Sequence, residues 1–216
     1  MNQYKAYIFD FDGVIKESVR VKSDAFMKLY EDEGVEFQRR IELFHLRNGG
    51  VSRYEKFKVW NRWLGRDDSN ESIDELSKKF SNLVVENVVS SPYIKGAIDA
   101  IKKIKNSSLL SFVATGTPDN EIISIMSRLK LSSSFKEIHG SSRNKSEIIE
   151  DVIERYHLET DKILFIGDAQ TDYYAAINLG LDFYLRLTDY NKDWFEGKPN
   201  ITFSKNDLVF LHKNIL

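Results

Sequence analysis

Residues 6–18 read AYIFDFDGVIKES, and they end an apolar run on two carboxylates, Asp10 and Asp12, with a glycine directly behind them. Charge at the end of a buried strand is costly unless it is used or paired. Residues two apart on a strand share a face, so the spacing predicts that Asp10 and Asp12 project together while Phe9 and Phe11 pack the other way. A second acid pair, Asp168 and Asp172, lies in GDAQTD, one helical turn apart and therefore on one side. Brought together, these like charges would raise one another's pKa. A hard divalent cation with oxygen ligands removes that conflict, and Mg²⁺ is the usual one beside phosphate. A carboxylate can attack phosphorus, and a second acid beside it can protonate the leaving oxygen and then activate water. Thr115, followed by Gly116 in VATGT, and Lys145, opening NKSEIIEDVIERY, supply groups that could hold phosphoryl oxygens.

Elements must bring these residues together. Short apolar runs at 6–11, 109–115, 163–168 and 182–187 read as strands, with 135–140 and 200–204 as further, weaker ones. Helical spacing fills 95–105, 118–130, 144–156 and 169–180. Strands alternating with helices of this length predict a parallel sheet with helices on both faces. In such sheets ligands bind beyond the carboxyl ends of the strands, where Asp10, Asp12, Thr115, Asp168 and the start of the Lys145 helix would all lie. Pro118 near the start of its helix would point that N-terminus at an anion. Residues 18–90 differ. They show helical spacing, no clear strand and many aromatics, so we expect a helical domain, 18–90, inserted into an α/β core of 1–17 and 91–216. Its linkers, at 14–18 and 90–93, would form a hinge.

The bulk numbers narrow the class. A chain of 216 residues with 42% hydrophobic and 30% charged residues suits a globular core with a small insert. A net charge of −2 gives no reason to expect nucleic acid or an anionic membrane as partner. The absence of cysteine excludes disulfides, thiolate metal sites and cysteine nucleophiles. No run approaches a membrane span, and MNQYKAYIFD lacks a small-residue cleavage site, so a cytoplasmic location is expected.

Four signatures in order, DFDGV at 10–14, VATGT at 113–117, Lys145 and GDAQTD at 167–172, resemble the haloacid dehalogenase superfamily of phosphohydrolases. The resemblance covers the whole chain and implies a Rossmann-like parallel sheet core with a helical cap domain inserted after the first strand. It implies that Asp10 is the nucleophile and Asp12 the general acid/base. It further implies that Asp10, the Asp12 carbonyl and Asp168 bind Mg²⁺, that Asp172 supports the metal through water, and that Thr115, Gly116 and Lys145 hold phosphate. GGVSR at 49–53 is similar to the cap motif of β-phosphoglucomutase-like members, where the arginine grips a remote phosphate. Arg53 would then hold the substrate, with Arg47 a weaker candidate.

The chain departs from that pattern at Lys22, where many such enzymes carry histidine, and in its final signature, GDAQTD, where the mutases usually carry Glu-Asp. The implied function is a Mg²⁺-dependent phosphatase of a small phosphorylated metabolite, a sugar phosphate by preference. A phosphomutase, a dehalogenase or an idle binding module are the alternatives, and Asp12 speaks against the dehalogenase.

Plainer readings stand beside these. DFDG lacks the ligand spacing and terminal glutamate of a calcium loop. Asp168 could cap a helix, Thr117 could cap the helix at Pro118, and Ser18 could cap the first insert helix. Ser52 could cap its own helix and leave Arg53 solvated. The insert's aromatics are expected to be core, and the four histidines receive no chemistry.

Overall fold

A computed structural model describes residues 4–216. Six short strands, β1 (Ala6–Phe9), β2 (Leu110–Ala114), β3 (Glu137–His139), β4 (Ile163–Gly167), β5 (Asp182–Arg186) and β6 (Phe203–Lys205), form one sheet in the order β3-β2-β1-β4-β5-β6. Every pairing is parallel, with Ala6 opposite both Leu110 and Ile163. The strands are shorter than the apolar runs that announce them. β1 is wholly buried, as a central parallel strand covered on both faces must be. From β1 the chain builds outward to β3 on one side, then returns to lay down β4 to β6 on the other. The crevice between the ends of β1 and β4 is therefore the switch point, the place where open α/β sheets bind ligands.

Alternation along the strands sends Tyr7, Phe9, Val113, Leu164 and Ile166 to one face and Ala6, Ile8, Phe112, Ile163 and Phe165 to the other. Helices α5 (Ala97–Lys105) and α6 (Asp119–Arg128) cover the first face. The second is covered by α7 (Lys145–Tyr156) and α8 (Gln170–Asn178). A short helix, α9 (Lys192–Phe195), follows β5.

Between β1 and α5 the chain forms only helices: α1 (Val19–Leu29), α2 (Val35–Arg47), α3 (Arg53–Trp63) and α4 (Asn70–Ser90). Their aromatics are core, as expected. Phe26 stacks on Phe80 with ring centroids 4.1 Å apart, and Trp60 and Phe57 meet Phe26 edge-on. Ser52 and Ser69 accept hydrogen bonds from the third residue of α3 and α4, stopping the preceding loops and starting those helices. The insert leaves and rejoins the sheet through two segments bonded to each other. Glu17 N donates to the Pro92 carbonyl at 2.9 Å and Ile94 N to the Ile15 carbonyl at 3.0 Å. Lys16 Nζ crosses to the Val89 carbonyl at 3.0 Å. Helix α4 also packs on α6 of the sheet layer.

Candidate active site

β1 ends at Phe9, one residue before the first acid. The strand-alternation argument for the Asp10–Asp12 pair therefore fails. Asp10 extends the pairing by one bond, its N–H donating to the Ile166 carbonyl at 2.9 Å, and the chain then turns tightly, with Ile15 N reaching back to the Phe11 carbonyl at 2.9 Å. Gly13, at φ +73°, makes that turn; a Cβ there would lie 2.1 Å from an Asp168 carboxylate oxygen. The turn, not the pleat, brings Asp12 to the same cavity as Asp10.

Asp10 is buried and held from two sides. The Phe11 N–H donates to its Oδ1 at 2.7 Å, and Lys145 Nζ lies 3.1 Å from its Oδ2. Lys145 stands at the first position of α7, fixed there by the reciprocal Asn144–Glu147 cap. The same ammonium bonds Asp172 Oδ1. The other oxygen of Asp172 accepts the backbone N–H groups of Asp168 and Ala169 at 3.2 and 3.0 Å, which places the Asp168 loop. Asp172, not Asp168, thus satisfies the start of α8. The Asp168 carboxylate accepts from Tyr190 Oη at 2.9 Å, and its carbonyl from Asn191 Nδ2 at 2.8 Å.

Burial pushes the Asp10 carboxyl up, against the lowering effect of Lys145, and the nearby charges of Asp172 and Asp12 push the same way as burial. Burial also pushes Asp168 well up, reinforced by Asp10 and Asp172. Burial would lower Lys145, but the Asp10 and Asp172 carboxylates outweigh it and push its pKa up. Asp10, Asp168 and Asp172 each bring one carboxylate oxygen within 4.8 Å of the others, all three residues being buried. An all-carboxylate set in which burial pushes both Asp10 and Asp168 up fits a hard divalent cation, Mg²⁺ among them.

Asp12 is differently placed. Its carboxylate accepts from Ser18 Oγ at 2.6 Å and Thr117 Oγ1 at 3.1 Å, and it is ion-paired with Lys22 from α1. Lys22 Nζ also donates to Thr117 Oγ1 at 2.7 Å. Burial alone would raise Asp12. The Lys22 charge and the bonds from Lys22, Ser18 and Thr117 win, and hold its carboxyl below the usual range. Ser18 stands at the N-cap of α1, as expected, but its hydroxyl makes no capping bond, and Thr117 is not the cap of α6; both hydroxyls serve Asp12.

These groups meet in a cavity of about 400 Å³ lined by Asp10, Asp12, Thr115, Gly116 and Asp168 from the core and by Lys22, His45, Arg53 and Lys56 from the insert. One expectation changes. No residue of α6 lines the cavity, so that helix N-terminus does not face it. Lys145 stands beside Asp10, bonded to it and to Asp172. Thr115 is buried at the end of β2, its hydroxyl 3.4 Å from the Thr117 N–H.

Arg53 lines the cavity and is buried, not solvated, with its guanidinium engaged by protein partners. It forks onto both oxygens of Glu121 in α6 and donates to Ser81 Oγ of α4 at 2.8 Å. Arg47, at the end of α2, is exposed at the cavity edge. Five site residues went unread in the sequence: Thr117, Tyr190, Asn191, His45 and Lys56. Tyr190 and Asn191 follow the carboxyl end of β5, so the strand-end rule alone could have singled them out. Lys56 lies one turn beyond Arg53 on α3, the same face of the helix. It is buried, and its Nζ lies 2.9 Å from His45 Nδ1. Burial, with the Lys22 charge, pushes Lys56 down to about 7. Burial with the charges of Lys56 and Lys22 holds His45 neutral.

Comparison with known proteins agrees with this geometry. The haloacid dehalogenase-like hydrolase family model matches residues 7–185. The chain is 26% identical over 188 residues to a phosphorylated carbohydrates phosphatase of Thermotoga maritima, covering 82% of each chain. Among solved structures, a predicted phosphoglycolate phosphatase of Haemophilus somnus superposes with a TM-score of 0.77 at 17% identity, covering 98% of this chain and 97% of that one. A protein assigned as a beta-phosphoglucomutase of Thermotoga maritima superposes at 0.71 with 22% identity, covering 98% and 100%. No helix among the described residues is long and apolar enough to cross a membrane. The family match spans the first strand, the helical insert and the strands that carry every acid of the site, and the chain belongs to the haloacid dehalogenase-like hydrolases.

Proposed function

We propose that the protein is a Mg²⁺-dependent phosphatase of a small phosphorylated carbohydrate, working through an aspartyl phosphate on Asp10. The observation that carries this reading is Asp10 itself: a buried carboxylate at the switch point, gripped by Lys145 and the Phe11 N–H, opening on a cavity shared with Asp12 and Asp168. The phosphatase reading over the mutase draws on the named activity of the Thermotoga relative.

Asp10 attacks phosphorus, and its bond to the leaving oxygen's phosphoryl group replaces the ester bond. Asp12 protonates the leaving oxygen and then takes a proton from the water that cleaves the aspartyl phosphate. Lys145 holds the Asp10 carboxylate in line and offsets its charge. Thr115 and Gly116 offer a hydroxyl and a backbone N–H to the phosphoryl oxygens. Asp10, the Asp12 carbonyl and Asp168 would hold a Mg²⁺ ion, with Asp172 behind them, and that ion would neutralise charge between carboxylates and phosphoryl oxygens.

Residues 18–90 act as a cap on the hinge formed by 14–18 and 90–93. The bonds between these two linkers support a joint that bends as one. Measuring phosphate release from hexose monophosphates with Mg²⁺ and with a chelator tests the reading, and release should need the metal. A ³¹P record with a hexose monophosphate and a trace of its bisphosphate separates the rival. Rapid isomer exchange with little free phosphate would make the enzyme a mutase.

A further inference from the structure

The insert side of the cavity carries three buried cations, Lys22, Arg53 and Lys56. Two are matched: Lys22 by Asp12, and Arg53 by Glu121. Lys56 has no carboxylate within ion-pair distance among the described residues. Among the described residues its one polar contact is His45 Nδ1. An ammonium can only donate, so Nδ1 must accept, and the ammonium protons not used there have no hydrogen-bond partner among the described residues, only the Phe26 ring 5.8 Å away. The groups facing it add to the imbalance. Lys22 from α1 and Arg53 from its own helix are positive, His45 from α2 is neutral, and only Asp12, already committed to Lys22, is negative. A buried ammonium without a counter-charge is costly.

The same cavity that holds Asp10 on its core wall holds Lys56 on its insert wall. A substrate whose phosphoryl group is seated at Asp10 can extend through this one cavity to Lys56. Arg53 cannot serve that end while Glu121 occupies its fork. We infer that Lys56, one turn beyond Arg53 on α3, is the specificity-determining residue of the insert, and that the substrate carries a second anionic group, a carboxylate or another phosphate, at the end remote from the reacting phosphoryl group. This inference rests on the proposed phosphatase reading and names the substrate class within it. The second anion completes the charge balance that the protein leaves open, so Lys56 makes its best contact only with substrate in place and the insert closed over it.

The test is calorimetric titration of the Asp10→Asn protein with Mg²⁺ present, using matched pairs. 6-Phosphogluconate and sorbitol 6-phosphate differ in a carboxylate against a hydroxymethyl group; fructose 1,6-bisphosphate and fructose 6-phosphate differ in the second phosphate. In at least one pair the doubly anionic member should bind roughly tenfold tighter or better, and adding Lys56→Met should bring that pair within about twofold, while Lys56→Arg keeps the preference. Whichever pair discriminates identifies the anion. Equal affinity within both pairs, no binding in either, or a preference that survives Lys56→Met overturns the inference. Phosphate release by the wild-type protein is scored separately. Its absence from every substrate overturns the phosphatase reading, while the binding ratios still decide the role of Lys56.

Discussion

Each residue of this site is defined by what it is paired with. Asp10 and Asp12 are two residues apart, yet burial pushes one carboxyl up while Lys22 holds the other down. Environments that push two acids apart assign them different tasks. An ionised Asp12 suits the base half of its role, taking a proton from water. The Lys22 charge is the largest influence lowering its carboxyl, so Lys22→Met should raise the Asp12 pKa. Rates of aspartyl phosphate hydrolysis measured against pH should then show an acidic limb displaced to higher pH, because the base is protonated until a higher pH. An unmoved limb would mean that Lys22 does not govern Asp12. The sequence announced the four acids and Lys145 because their types and spacing are local. It could not announce that Ser18, Lys22 and Thr117 converge on Asp12, since Thr117 lies 105 residues away and the contact exists only after folding.

The elements were legible where burial makes residues uniform. Central strands covered on both faces must be short apolar runs, and β1, β2 and β4 were visible for that reason. Their ends were less so, because pairing stops before apolarity does. The start of α6 was misread because Pro118 and Thr117 look like cap chemistry, while tertiary contacts claim Thr117 for Asp12. Arg53 gives the sharpest example. Its motif pointed to a substrate, but it joins α3 to α6 through Glu121, 68 residues on. This buried fork ties the helical insert to the sheet layer. Removing one partner leaves the other charge buried and alone, which costs about 3–5 kcal/mol. Arg53→Ala and Glu121→Ala should each destabilise the protein by that order, and the double variant by much less than their sum, in a denaturant-melt cycle. Additive losses would show that the two side chains are uncoupled.

At the scale of the molecule, the insert lies against the core at the mouth of the site. Thr171 Oγ1 donates to the Gly49 carbonyl at 3.2 Å, and a Cβ on Gly116 would meet the Gly50 carbonyl oxygen at 2.6 Å. Gly116 is therefore a glycine because the insert's loop closes onto it. Gly116→Ala should hold the insert partly off the core, raising the radius of gyration in X-ray scattering and lowering kcat/KM by about a hundredfold, since small displacements of positioned groups are costly. Unchanged scattering together with unchanged kinetics would contradict closure at this contact. The division of labour that results, acids on the core wall and cations on the insert wall, leaves Asp10 as the group that meets phosphorus. Reacting the wild-type protein with a hexose monophosphate and Mg²⁺, quenching in acid and reducing with borohydride converts an aspartyl phosphate to homoserine. Sequencing the tryptic peptide 6–16 by mass spectrometry then separates position 10 from position 12. Homoserine should appear at position 10, dependent on substrate and metal, and not at position 12; homoserine at another aspartate, or at none while phosphate is being released, would contradict Asp10 as the nucleophile.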